Sequence, residues 1–85
     1  MGSYNVEFKS PAREEFWQVP FPHRRLFNRR IEGLKRDPRP ECARKVADVE
    51  LYRLILGGWV MLYEVDDLAL LVTVFGFRRE RGARA

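Results

Sequence analysis

Leu51-Tyr52-Arg53-Leu54-Ile55-Leu56-Gly57-Gly58-Trp59-Val60-Met61-Leu62-Tyr63-Glu64-Val65-Asp66-Asp67, followed by the apolar run from Leu68 to Phe77, decides the fold. It contains three β-rich runs, 51–56, 59–65 and 68–77, separated by Gly57-Gly58 and Asp66-Asp67. Gly-Gly is a strong two-residue hairpin signal because both positions accept positive φ, and Asp-Asp is a weaker turn former. An antiparallel meander follows. With two residues in each loop, directly opposed side chains share a face. One face then carries Tyr52, Leu54, Leu56, Trp59, Met61, Tyr63, Val65, Leu68, Leu70, Val72 and Val74, without a charge. The other carries Leu51, Arg53, Ile55, Val60, Leu62, Glu64, Ala69, Leu71, Thr73, Phe75 and Phe77.

Upstream, Tyr4-Asn5-Val6-Glu7-Phe8 alternates as a half-buried strand does. Ser10-Pro11 reads as an N-cap followed by Pro at the first helical position, opening a short helix to about Val19. Glu14 and Glu15 lie near its positive dipole end. Pro20 and Pro22 interrupt the chain, and a second helix runs from Pro22 to about Arg36, with Phe27, Ile31 and Leu34 as its buried stripe. Asp37-Pro38-Arg39-Pro40 stops it, and 41–49 reads as a loop. The expected fold is α+β, in the order β-α-α-β-β-β. An N-terminal strand and helical hairpin are packed on one face of a twisted antiparallel sheet, and residues 1–85 form one domain. Two helices cover the uncharged face only, so the second, mostly apolar face is left for a partner or ligand.

The chain has 85 residues, 46% of them hydrophobic and 33% charged, the composition of a globular domain rather than a disordered tail. Its longest apolar run is about half of the ~20 residues that a membrane-spanning helix needs. No export signal is evident at the start. The single cysteine, Cys42, can form no internal disulfide, which points to a reducing, cytoplasmic setting. Of the 16 Lys and Arg residues, 11 precede Val46. Such an excess suits a polyanionic or acidic partner and equally suits a solvated helix face.

The order of these elements, with Asp37-Pro38-Arg39-Pro40, Leu51-Tyr52-Arg53, Tyr63-Glu64-Val65-Asp66-Asp67 and Val74-Phe75-Gly76-Phe77-Arg78-Arg79-Glu80, resembles the RelE/ParE toxin superfamily, closest to its RelE-like branch. The resemblance spans roughly Tyr4 to Arg81. It implies a bacterial toxin of a type II toxin–antitoxin system, held inactive by an antitoxin whose flexible segment wraps it. The RelE branch cleaves mRNA in the ribosomal A site by metal-free transesterification, without a cofactor, whereas the ParE branch poisons DNA gyrase. Implied partners are the antitoxin, the ribosome and mRNA, with no membrane, and the assembly is a homodimer or a toxin–antitoxin complex.

Carried over by position, the resemblance makes Arg53 and Arg78 the catalytic phosphate clamps, since a guanidinium binds phosphate oxygens bidentately and stays charged. Arg44, Lys45, Arg79, Arg81 and Phe77 are the expected RNA contacts. Leu51, Ile55, Val60, Leu62, Leu71 and Phe75 are the expected antitoxin contacts. This sequence departs from the pattern at Ile55 and Val60, where basic residues are common, at Phe77, where His or Lys is common, and in lacking the C-terminal Tyr of several members. No proton-transfer group stands out. Glu50, Glu64 and Glu80 are the nearest candidates for a base, none raised above a solvated or paired carboxylate. Arg53 could pair diagonally with Glu64, His23 reads as a surface helix residue and Cys42 as an inert thiol in a loop. A fold that binds an antitoxin or nucleic acid without cleavage is the alternative function, and the gyrase-poison reading ranks below both.

Overall fold

The computed structural model describes residues 3–80. The elements in order are β1 (Asn5–Phe8), α1 (Ser10–Gln18), α2 (Phe21–Leu34), β2 (Ala43–Lys45), β3 (Leu51–Leu56), β4 (Trp59–Asp66) and β5 (Leu71–Arg79). The five strands make one sheet in the order β1-β5-β4-β3-β2. β3, β4 and β5 form the expected meander, but β1 pairs in parallel with β5, so the sheet is mixed.

Lys9, not Ser10, holds the N-cap of α1, and Pro11 sits in its first turn, where a missing N–H costs nothing. Its C-terminus is closed by Arg24 of α2, whose Nη1 donates to the Val19 carbonyl at 2.8 Å and to the Trp17 carbonyl at 3.3 Å. Phe27, Ile31 and Leu34 form the buried stripe of α2, at the spacing expected of one helix face. Together with Ala12 and Val19 they pack on Tyr52, Leu54, Met61, Tyr63, Val65, Val72 and Val74. Both helices therefore cover the uncharged face of the sheet.

The structure corrects the expected layout in three further places. The 41–49 segment contains β2, which extends the sheet beyond β3. The second turn spans Asp67 to Leu70, because β4 continues through Asp66, which pairs with Leu71. The Asp66 carboxylate accepts the Ala69 N–H at 3.1 Å, and Leu70 has a positive φ of 53°. Leu68 is fully exposed and Leu70 is exposed, so neither joins the core, and Ala69 leaves the opposite face. Since the loop grew by an even number, the faces of Val72 and Val74 are preserved.

A bulge supplies the third correction. Leu62 pairs with Gly76 while Tyr63 pairs with Val74, which leaves Phe75 as the extra residue of β5. Every later side chain of β5 changes face, and Phe77, expected outside, is 3% exposed in the core. Its ring lies 5.2 Å from those of Phe16 and Phe27 and 6.0 Å from that of Phe8. Beyond Val74, β5 has lost its β1 neighbour, and Glu15 of α1 serves the bare edge by accepting the Phe77 N–H at 2.9 Å. A Cβ on Gly76 would lie 2.7 Å from Glu15 Oε1, so a larger residue there would displace the carboxylate that serves this edge.

Candidate functional site

The face of the sheet turned away from the helices is built from alternate residues of all five strands. The register sets Arg44 directly opposite Arg53, with Leu62 on the far side of Arg53. One alternation further along, Ile55, Val60 and Arg78 stand side by side. Arg53 and Arg78 are thus two strands and one alternation apart, about 12 Å between Cα atoms, near enough to engage one nucleotide. Arg44, Arg53 and Arg78 are exposed, and among the described residues none has a carboxylate within 4.0 Å. Two arginines directly opposed across strands repel, a cost that an anionic ligand would remove. The diagonal Arg53–Glu64 pair does not form.

Leu51, Ile55, Val60, Leu62 and Leu71 are all half-buried on this face, and the bulge residue Phe75 is exposed on it. Val49, Leu51, Leu62 and Phe75, with Glu50 and Glu64 at the rim, line a shallow groove of about 350 Å³. Lys9 Nζ stands 5.8 Å from the centre of the Phe75 ring. The six residues expected to meet the antitoxin therefore share this face, and Leu51, Leu62 and Phe75 of them line the groove.

The expected RNA contacts do not. Arg44 joins Arg53, but Lys45 points to the other side of β2, where its Nζ lies 3.2 Å from Glu50 Oε2. Arg79 stacks its guanidinium over Trp59 at 5.5 Å, on the helix-covered side. Phe77 is in the core and its ring cannot stack on a ligand at the open face. Arg81 lies outside the described residues.

Sequence reasoning missed the hub at Arg39. Its Nε donates to Tyr52 Oη at 2.7 Å, its Nη2 to Glu50 Oε1 at 2.6 Å and to Asp67 Oδ2 at 2.9 Å, and its Nη1 to Asp67 Oδ1 at 3.1 Å. Tyr4 Oη donates to Asp67 Oδ1 at 2.6 Å, so the N-terminal strand is joined to the β4–β5 turn and, through Arg39, to the start of β3. Hydrogen bonding from Arg39, then from Lys45, holds the Glu50 carboxyl below the usual carboxylate range, and hydrogen bonding from Arg39, then from Tyr4, does the same for Asp67. The Tyr4 hydroxyl is pushed up, chiefly by its bond to Asp67. With Oε1 taken by Arg39 and Tyr52 and Oε2 by Lys45, Glu50 is poorly placed to accept a substrate proton. Burial pushes up the Tyr63 hydroxyl, which donates to the Pro38 carbonyl at 2.8 Å and stacks with Tyr52.

His23 is also placed differently from its surface reading. It is half-buried, its Nδ1 has no partner among the described residues, and its ring lies against the Gly57-Gly58 hairpin. A Cβ on Gly57, whose φ is +56°, would stand 2.3 Å from His23 Nε2. It therefore lies on the helix-covered side. Glu64 is the exposed carboxylate nearest Arg53 on the open face, one residue pair along the β3–β4 ladder. Among the described residues no three His, Cys, Asp or Glu side chains converge as metal ligands, and no helix is long and apolar enough to cross a membrane.

No family model matches the sequence, and no curated protein matches it. Solved structures do. The isolated Escherichia coli RelE toxin superposes with a TM-score of 0.84 at 19% identity, covering 96% of this chain and 89% of that one. The protein has the RelE fold. The archaeal RelE–RelB complex from Pyrococcus horikoshii gives 0.79 at 24% identity, covering 98% and 99% of the two chains. A RelBE toxin–antitoxin complex from Mycobacterium tuberculosis gives 0.67 at 22%, with 94% of each chain covered. In each case the likeness extends over more than nine-tenths of this chain.

Proposed function

We propose that this protein is the toxin of a type II toxin–antitoxin system and acts in the cytoplasm as a ribosome-dependent mRNA endonuclease. The observation that carries the proposal is the open sheet face of a RelE fold, on which Arg44, Arg53 and Arg78 stand exposed without acidic partners among the described residues while the helices cover the other side. In the reaction the 2′-hydroxyl of a nucleotide attacks the adjacent phosphorus and the 5′-oxygen leaves, giving a 2′,3′-cyclic phosphate and a 5′-hydroxyl end. Arg53 and Arg78 hold the non-bridging oxygens as negative charge builds on them, which is where a fixed cation lowers the barrier most. The 2′-hydroxyl proton passes to solvent, and solvent protonates the departing 5′-oxygen. An antitoxin segment lying across Leu51, Ile55, Val60, Leu62, Leu71 and Phe75 would close the same face to mRNA.

A second reading is favoured by the polar inventory of that face, which holds no histidine or tyrosine among the described residues: a RelE-fold protein that binds an antitoxin or RNA without cutting. Incubation with mRNA-programmed ribosomes, followed by mapping of new 5′ ends, separates the two. Cleavage that falls about a hundredfold in Arg53→Ala and in Arg78→Ala supports the enzyme. Undiminished cleavage in both variants refutes the site, and the absence of any cleavage with tight antitoxin binding favours the second reading.

A further inference from the structure

The open face is not evenly basic. Followed along the strands through the register, its charged side chains sort by sign. At the end where β4 finishes, Asp66 stands opposite Leu71, and Glu64, Thr73 and Glu7 form the next row across β4, β5 and β1. Past the bulge come Lys9 beside Phe75, then Arg53 and Arg44, and finally Arg78. Glu7, Glu64 and Asp66 are exposed, and no Lys or Arg among the described residues lies within 4.0 Å of them. The apolar groove floored by Leu51, Leu62 and Phe75 lies on the boundary.

Phosphate groups are drawn to the arginine end and repelled at the other by three carboxylates that have no cationic partner among the described residues. A nucleic acid therefore gains from half of this face only. A polypeptide can use all of it, because it can present acidic groups to the arginines and basic groups to the carboxylates while filling the groove between. We propose that the Glu7–Glu64–Asp66 end and the adjoining groove form a docking site for a protein segment bearing Lys or Arg beside apolar side chains, distinct from the phosphate-binding end. The inference rests on the reading above that a protein partner covers the open face, and it adds the direction in which that partner lies: basic part over Glu7 and Glu64, acidic part over Arg44, Arg53 and Arg78. Partner binding and RNA binding then become separable by mutation.

The test is selection of short random peptides, displayed on phage, against the intact protein. Fluorescence anisotropy of the enriched peptides and of a short single-stranded RNA follows, on the wild type and on the Glu7→Lys/Glu64→Lys and Phe75→Asp variants, with far-UV circular dichroism confirming that each is folded. The expected peptides combine basic and apolar residues and bind the Glu7→Lys/Glu64→Lys variant about five- to tenfold more weakly, as expected for two exposed charge pairs turned repulsive, while the RNA binds that variant as well or better. If the enriched peptides are acidic and indifferent to the charge reversal, or if the RNA loses affinity with it, the polarity is wrong although a protein partner still fits the face. If no enriched peptide is sensitive to Phe75→Asp, the protein-partner reading falls and this inference with it.

Discussion

Replacing Phe77 by Ala removes a ring that the bulge has turned into the core, where it touches the rings of Phe8, Phe16 and Phe27. Truncating a buried Phe costs about 3–5 kcal/mol, the sum of lost transfer energy and a residual cavity. An 85-residue chain has a total stability of roughly 4–13 kcal/mol, so the variant loses about a quarter of it or more. The neighbouring change Phe75→Ala takes away a ring that already faces solvent and costs about 1 kcal/mol or less. Urea titrations followed by circular dichroism give both values, and since each kcal/mol moves the melting temperature by about 4–8 °C in a domain of this size, thermal melts should fall by upwards of about 12 °C for Phe77→Ala only. Equal losses in the two variants, or a small loss at Phe77, would refute the bulge and with it the assignment of faces beyond Val74.

Arg44→Glu should raise stability by about 0.2–1 kcal/mol, because it turns the opposed Arg44–Arg53 pair from repulsive to attractive, and should weaken RNA binding; a thermal melt and an anisotropy titration check the two halves. Gly57→Ala should cost about 1–3 kcal/mol through its positive φ and the clash with His23, and the double variant with His23→Ala should recover part of that loss in a double-mutant cycle. Glu50 and Asp67 have depressed folded-state pKa values, so the stability they contribute is fully present above the ordinary carboxylate range and is lost as the pH falls below about 4. Arg39→Met should lower the urea midpoint at neutral pH and flatten its decline in acid; an unchanged acid slope would show that Arg39 does not carry the shift.

The legibility of this fold varied with the range of the interactions that fix each feature. Gly57-Gly58 and the Phe27, Ile31, Leu34 stripe are local signals, and they placed the first hairpin and the buried side of α2 correctly. The even-numbered lengthening of the second turn left the faces of Val72 and Val74 intact. Phe77 is misplaced by the sequence pattern because the extra residue in β5 goes with contacts between elements far apart in sequence, such as the Phe77 N–H to Glu15 hydrogen bond. β2 was unreadable for a similar reason: Ala43-Arg44-Lys45 has no strand pattern and is extended only because β3 offers it an edge. Arg39 gathers partners from β3, the β4–β5 turn and, through Asp67, the N-terminus, so nothing in Asp37-Pro38-Arg39-Pro40 beyond a helix stop announces it. Arg44, Arg53 and Arg78 were legible as charges, while the segregation of carboxylates toward one end of the face required the register.

The most direct measurement of the central claim is a backbone amide NMR titration with a short single-stranded RNA. Shifts confined to β2, β3 and the end of β5 around Arg44, Arg53 and Arg78, with Glu7, Asp66 and the helices undisturbed, are the predicted result. Shifts centred on Arg25 and Arg29 of α2, with the sheet unaffected, would contradict the account.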